Sequence, residues 1–249
     1  MRGVRPHMAA TSPRPLRQRL RRFTCTLAVS AGGLAALAPA SPAAAEPGAI
    51  TAEPAPAVAG SAAPAAVGFP LGPDSLTATA ANALTALQAS IASGTGDGSV
   101  SYLVLRSQIV ADVATRLGID ATTLRAAWAG ADPGHQVALM AGLTQLGVRY
   151  QSMAREPGSG FDCSGLTSFA WSAAGHELPR SSGDQIDAAS PRDTSTAQAG
   201  DLLRYPGHVM LWLGVGSFIL HSPYSGEVVR VEALSDSSMS RSTFGDPVV

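Results

Sequence analysis

Apolar positions along the chain change their period once. From residue 74 to about 174 they recur every three to four places, and after Ala199 they alternate. The first period predicts helices and the second predicts strands, since side chains align every 3.6 residues on a helix and every two on a strand. A helix is expected over 74–96, with Leu76, Ala80, Leu84, Leu87 and Ile91 on one stripe and Asp74 or Ser75 at its start. Two shorter helices are expected between 101 and 130, split by Gly118-Ile119-Asp120, with Asp120 or Thr122 capping the second. A fourth runs from about 134 to 146, with Pro133 near its first turn and Gly147 past its end. A fifth runs from Cys163 to about Ala174, closed by Gly175. Strands are expected at 201–205, 208–213, 217–221 and 227–232. Helices first and antiparallel strands afterwards predict an α+β domain over about 133–236. A helical module of unassigned role, 74–132, precedes it, and a short tail, 237–249, follows.

The segments before residue 74 carry neither period. Residues 1–22 hold seven arginines and no acid, then an apolar run and the small-residue stretch Ala43-Ala44-Ala45. This pattern predicts a signal peptide cleaved after Ala45, by the general secretory or the twin-arginine route. An N-terminal anchor is the alternative, but the run falls short of the ~20 residues a spanning helix needs and contains Pro39. Residues 46–73 are alanine, proline and glycine with little charge, and predict a disordered linker.

Removing the leader changes two quantities. Ten arginines then face 18 acids, a net charge of −8, which gives no electrostatic footprint for nucleic acid. Of the two cysteines, Cys25 leaves with the leader and Cys163 remains, so no intrachain disulfide is possible. A lone thiol in an exported protein is a reactive group or an intermolecular link.

Cys163 follows a glycine-rich turn, "GSGFD", at a helix start, where the helix dipole favours thiolate and the first amides point at a developing oxyanion. Asp162 is placed to cap that helix. A thiol nucleophile also needs a base. His135, in a first helical turn, and His176, at a helix-to-loop corner, read as surface residues. His208 and His221 lie in the strands. A two-residue hairpin at Gly214-Val215 pairs Leu213 with Gly216 and sets His208 opposite His221 on one face, with Cβ atoms about 4.5–5.5 Å apart. One imidazole then orients the other, as in a nucleophile–base–orienter triad. Zinc is the rival use of these three residues, but close ligand pairs are missing.

The islands "FDCSG", "LPRSS..Q", "AGDLL", "HV" and "LHSP", in this order over about 146–234, resemble the NlpC-type cysteine peptidases, papain-like enzymes that cut bacterial cell-wall peptides. The resemblance implies Cys163 as nucleophile, His208 as general base and then acid, and His221 as the orienting third residue. It implies that the hydroxyl of Tyr150 helps hold the oxyanion, that Asp162 and Ser164 shape the adjoining wall of the cleft, and that no cofactor is used. The implied substrate is the peptidoglycan stem peptide, cut at the bond between D-isoglutamate and the third-position diamino acid, by a protein secreted to the cell wall. Arg149, Arg155 and Arg180 are candidates to pair with its carboxylates. Two positions depart from the family: Arg149 replaces a proline, and Met210 replaces a small residue and predicts a fuller core beneath the sheet. An amidase or acyltransferase with the same triad, and a wall-binding protein without activity, remain the alternatives. Any protein partners are unspecified.

Overall fold

A computed structural model describes residues 74–248. The expected signal peptide and linker lie outside the described residues. Helices come first: α1 (Leu76–Ala92), α2 (Val100–Leu117), α3 (Ala121–Gly130) and α4 (Pro133–Leu143). A two-stranded ribbon, β1 (Arg155–Glu156) and β2 (Gly160–Phe161), leads into α5 (Cys163–Ala173) and α6 (Ser182–Ala188). Six strands follow or flank these: β3 (Ser190–Arg192), β4 (Leu202–Tyr205), β5 (His208–Trp212), β6 (Phe218–His221), β7 (Arg230–Ala233) and β8 (Thr243–Asp246), with α7 (Asp236–Met239) before β8. They form one antiparallel sheet in the order β3-β8-β4-β5-β6-β7. This is the α+β arrangement that the switch of period predicted. Among the described residues no helix is long and apolar enough to cross a membrane.

Local chemistry sets the helix starts. The Asp74 carboxylate accepts the Leu76 N–H at 2.9 Å, Ser99 caps α2 through Tyr102 N–H, and Asp120 caps α3 through Thr123 N–H at 2.8 Å. The buried stripe of α1 is Leu76, Ala80, Ala83 and Leu87, while Leu84 packs only at its margin and Ile91 faces solvent. α4 is buried on every side from His135 to Leu143, because α1 and α5 pack against it. One apolar core therefore runs from Leu76 and Trp128 through Leu139 and Leu166 to Leu211 and Leu220. The Trp128 indole N–H also donates to the Leu213 carbonyl at 2.9 Å. On the other face of the sheet a smaller cluster joins Leu203, Met210, Trp212, Ile219 and Phe244. Met210 thus fills the layer beneath the sheet, as its size predicted.

Three departures from the sequence expectation concern the sheet, the C-terminal segment and His135. The sheet has six strands, not four: β3 and β8 are short, carry Pro191 or Gly245, and show no apolar alternation to reveal them. The segment 237–249, expected as a tail, supplies α7 and β8. His135 is not a surface residue but is fully buried. Its Nε2 lies 2.9 Å from Asp201 Oδ1 and 3.2 Å from Asp246 Oδ1, and its ring meets Trp171 edge-on. Arg192 holds the other oxygen of Asp246 at 2.6 Å. Burial alone raises the Asp246 carboxyl, but Arg192, the Val248 amide and His135 together hold it below the usual carboxylate range. The His135 contacts tie β8 to α4, and the Arg192–Asp246 ion pair ties β3 to β8. Asp246→Ala leaves His135 and Arg192 without that partner and is expected to cost about 3 kcal/mol, read as a fall in the urea midpoint at unchanged slope.

Candidate active site

Cys163 is the first residue of α5 and is half-buried. The extended backbone of Asp162 precedes it, and Asp162 Oδ1 accepts the Gly165 N–H at 2.7 Å. That cap leaves the other first-turn amides of the helix without an intrahelical partner. Asp162 is itself gripped: Arg180 donates to both its oxygens, at 2.6 and 3.1 Å, and to Ser164 Oγ at 2.8 Å. Arg180, one of three candidates to pair with substrate carboxylates, is thus committed to Asp162. Arg149 and Arg155 are exposed, and Arg149 Nε–H donates to the Ser159 carbonyl. Gln185 of α6 is fully buried. It binds Thr167 Oγ1 at 2.6 Å, and the Ser164 carbonyl, Ser168 Oγ and the Pro179 carbonyl each at 2.9 Å. The spaced residues of "LPRSS..Q" therefore clamp the start of α5 through Arg180 and Gln185.

The two strand histidines lie at one end of the sheet. His208 opens β5 just after the Pro206-Gly207 turn, where Gly207 has φ +88°. His221 closes β6. His208 Nε2 and His221 Nδ1 are 2.8 Å apart, with the rings nearly perpendicular and both residues buried. The register differs from the expected hairpin. Leu211 pairs with Leu220 and Trp212 with Ile219, and Leu213 N–H donates to the Phe218 carbonyl, so the loop holds four residues, Gly214 to Ser217. This moves the pairing by two positions, which keeps every side chain on its face. His208 and His221 therefore meet diagonally, not directly opposite, and aromatic side chains span that gap.

The two imidazoles share their face with Met210 and Ile219, while the body of α5 covers the face of Val209, Leu211 and Leu220. A hydrogen bond joins the segment after His221 to the segment before Cys163. Ser222, which follows His221, donates from its buried hydroxyl to the Phe161 carbonyl at 2.7 Å, two residues before Cys163. The Tyr205 ring stacks at a tilt on His208 with centroids 5.3 Å apart. Burial raises its phenol, and the charges of Glu232 and Cys163 add to that rise, with Arg241 opposing. Tyr150 adjoins the same point: burial, then the charges of Cys163 and Asp162, raise its phenol, which stays a proton donor at neutral pH. Its backbone N–H donates to the Glu227 carbonyl at 2.7 Å.

Burial and the neighbouring His221 push His208 down to about 4, with Glu232 opposing. Between pH 5 and 8 its imidazole is neutral and free to accept a proton. Beyond the residues expected from sequence, the structure adds Glu232, whose Oε1 lies 2.8 Å from His221 Nε2. A strand at 227–232 next to His221 was legible. Which of its side chains falls beside that ring depends on the β6–β7 register.

Residues 147–247 match the NlpC/P60 family. The chain carries a domain of the NlpC/P60 family. Its relatives include the peptidoglycan endopeptidase RipB of Mycobacterium tuberculosis, 44% identical over 73 residues, covering 28% of this chain and 30% of RipB. A probable endopeptidase of the same organism is 36% identical over 111 residues, 43% of this chain and 28% of that protein. A gamma-D-glutamyl-L-lysine dipeptidyl-peptidase of Bacillus subtilis is 36% identical over 87 residues, 32% of this chain and 29% of the enzyme. The matches thus span less than a third of each of these three relatives. Among solved structures, the P60 domain of a Mycobacterium avium subspecies paratuberculosis antigen is 28% identical, covers 47% of this chain and 96% of that domain, and has a TM-score of 0.40. The NlpC/P60 domain begins just after α4 and includes β8, so the contact of His135 with Asp246 joins it to the preceding helix.

Proposed function

We propose that the NlpC/P60 domain is a cysteine peptidase that hydrolyses amide bonds of peptidoglycan stem peptides. The observations that support this reading are a half-exposed thiol at a capped helix start, two buried imidazoles 2.8 Å apart, and Tyr205, which stacks on His208 and feels the charge of Cys163. His208 Nε2 is engaged by His221, so Nδ1 is the nitrogen left to take the Cys163 proton. The thiolate attacks the carbonyl carbon, and the negative charge passes to its oxygen, held by the first amides of α5 and the Tyr150 hydroxyl. His208 returns the proton to the leaving amine as the C–N bond breaks. A thioester remains. Water then gives a proton to His208, attacks the thioester carbon and releases the acid and the thiol.

The substrate class is supported by the relatives named as peptidoglycan endopeptidases. The Bacillus relative's name supports the bond after D-glutamate. The basic, then apolar, then small-residue N-terminus supports export to the cell wall by a cleaved signal peptide. The linker and the helices over 74–132 stand as tether and supporting module. Mass spectrometry of peptidoglycan digested by the intact protein and by Cys163→Ala tests the reading. New stem-peptide fragments are expected from the first and none from the second; identical patterns overturn it.

A further inference from the structure

The hydrogen bond between two imidazoles has two opposite forms. His221 Nδ1 either accepts from His208 Nε2–H, or donates to a bare Nε2. In the second form the neutral His208 carries its proton on Nδ1, the nitrogen that must receive the thiol proton, and the base is blocked. Something has to choose the first form, and the pair alone does not.

We infer that Glu232 makes this choice: it is a positioning residue that holds His221 in the Nε2–H tautomer and thereby keeps His208 Nδ1 free. The inference rests on the proposed thiol mechanism. Glu232 Oε1 lies 2.8 Å from His221 Nε2, the nitrogen on the far side of the ring from His208. The contact is short but poorly aligned: His221 Nε2 makes no hydrogen bond of good geometry here, so the proximity of the carboxylate, and not a formed bond, carries the inference. A carboxylate is acceptor-only, so a proton on Nε2 is stabilised there and a bare Nε2 is repelled. With Nε2 protonated, neutral His221 offers a bare Nδ1. His208 then donates through Nε2–H and presents Nδ1 as the base.

The sheet builds this row by repeating one offset. His221 pairs with Arg230 and Ile219 with Glu232, so Glu232 meets His221 diagonally, as His208 does from the other side. Glu232 is fixed from behind. Arg230 Nε–H donates to its Oε2 at 2.7 Å, and Arg230 also binds Glu227. Burial raises the Glu232 carboxyl, but His221 and Arg230 outweigh it and bring it to about 2, so it stays ionised at any pH where His208 is neutral. When His208 becomes imidazolium during turnover, the same carboxylate faces the developing charge through the His221 ring.

The test reads tautomers and turnover on the full chain. Long-range 15N–1H correlation spectra of histidine-labelled protein are expected to show His221 protonated at Nε2 in the wild type. Glu232→Ala is expected to shift it toward the Nδ1–H form and to lower kcat by about tenfold with little change in KM. Glu232→Gln, which retains an acceptor oxygen, is expected to recover most of that loss. In a His221→Ala background, itself milder than loss of His208, Glu232→Ala is expected to add nothing. Should Glu232→Ala not fold, Glu232→Asp, too short to reach Nε2, carries the same readouts. An unchanged tautomer, or an equal loss in both backgrounds, overturns the inference. A wild type that leaves peptidoglycan intact but shows the expected tautomers overturns the proposed function alone.

Discussion

His208→Ala is expected to lower kcat/KM on stem peptides by about a thousandfold or more, with the fold retained. The size follows from its position. It is the imidazole proposed as the base, and the neighbour that could replace it, His221, is bound to it through Nδ1 and faces Glu232 through Nε2. The wild-type pH profile provides the companion measurement. His208 is depressed from 6.5 to about 4, so the free enzyme keeps a neutral base well below the pH at which an ordinary histidine is charged. As pH falls through about 4 the imidazole takes a proton and can no longer accept one from the thiol. The acid limb of kcat/KM is therefore expected near pH 4, not near 6.5. The same shift sets acid stability. Between 6.5 and 4 the unfolded chain protonates this histidine and the folded protein does not, so stability falls as pH drops across that window and levels off below it. A His208→Ala enzyme with undiminished turnover would remove the base from the mechanism, and an acid limb at 6.5 would place it in a wetter site.

Gly165→Ala is expected to be the most damaging small substitution in the domain. A Cβ there would stand 2.1 Å from the Ala154 carbonyl oxygen and 3.0 Å from Asp162 Oδ1. The nearer atom is backbone, and it already accepts the Asp162 N–H at 3.1 Å. No side chain can turn aside to relieve the clash. Either the loop 151–154 withdraws from α5 or the helix start tilts, and both break the Asp162 cap that aims Cys163. A loss of about 3 kcal/mol is expected in urea unfolding, together with a loss of turnover at temperatures where the variant is still folded. A variant with wild-type midpoint and rate would mean that α5 does not lie on that carbonyl.

Much of the fold was legible because it is local. Capping residues, helical stripes and the alternation after Ala199 fix α1 to α5 and β4 to β7 to within a few residues. α6, β3 and β8 were not legible, since each is short and held by long-range ion pairs and packing rather than by its own pattern. For the candidate site the residue types were visible, and so was the shared face of His208 and His221, because a shift of register by two preserves it. Their diagonal meeting was not, since it depends on a four-residue loop whose sequence, Gly214-Val215-Gly216-Ser217, is equally suited to a two-residue turn.

The amino-acid sequence by itself determined where the elements start, which thiol stands at a helix tip, and which two histidines lie on neighbouring strands, because each of these follows from neighbours within a few positions along the chain. The tertiary structure alone decided that Arg180 holds Asp162, that His135 is buried between Asp201 and Asp246, and that Glu232 stands behind His221. A charged group's partner depends on which strands and helices come to lie side by side, and that is fixed by the burial of the whole core and not by spacing along the chain.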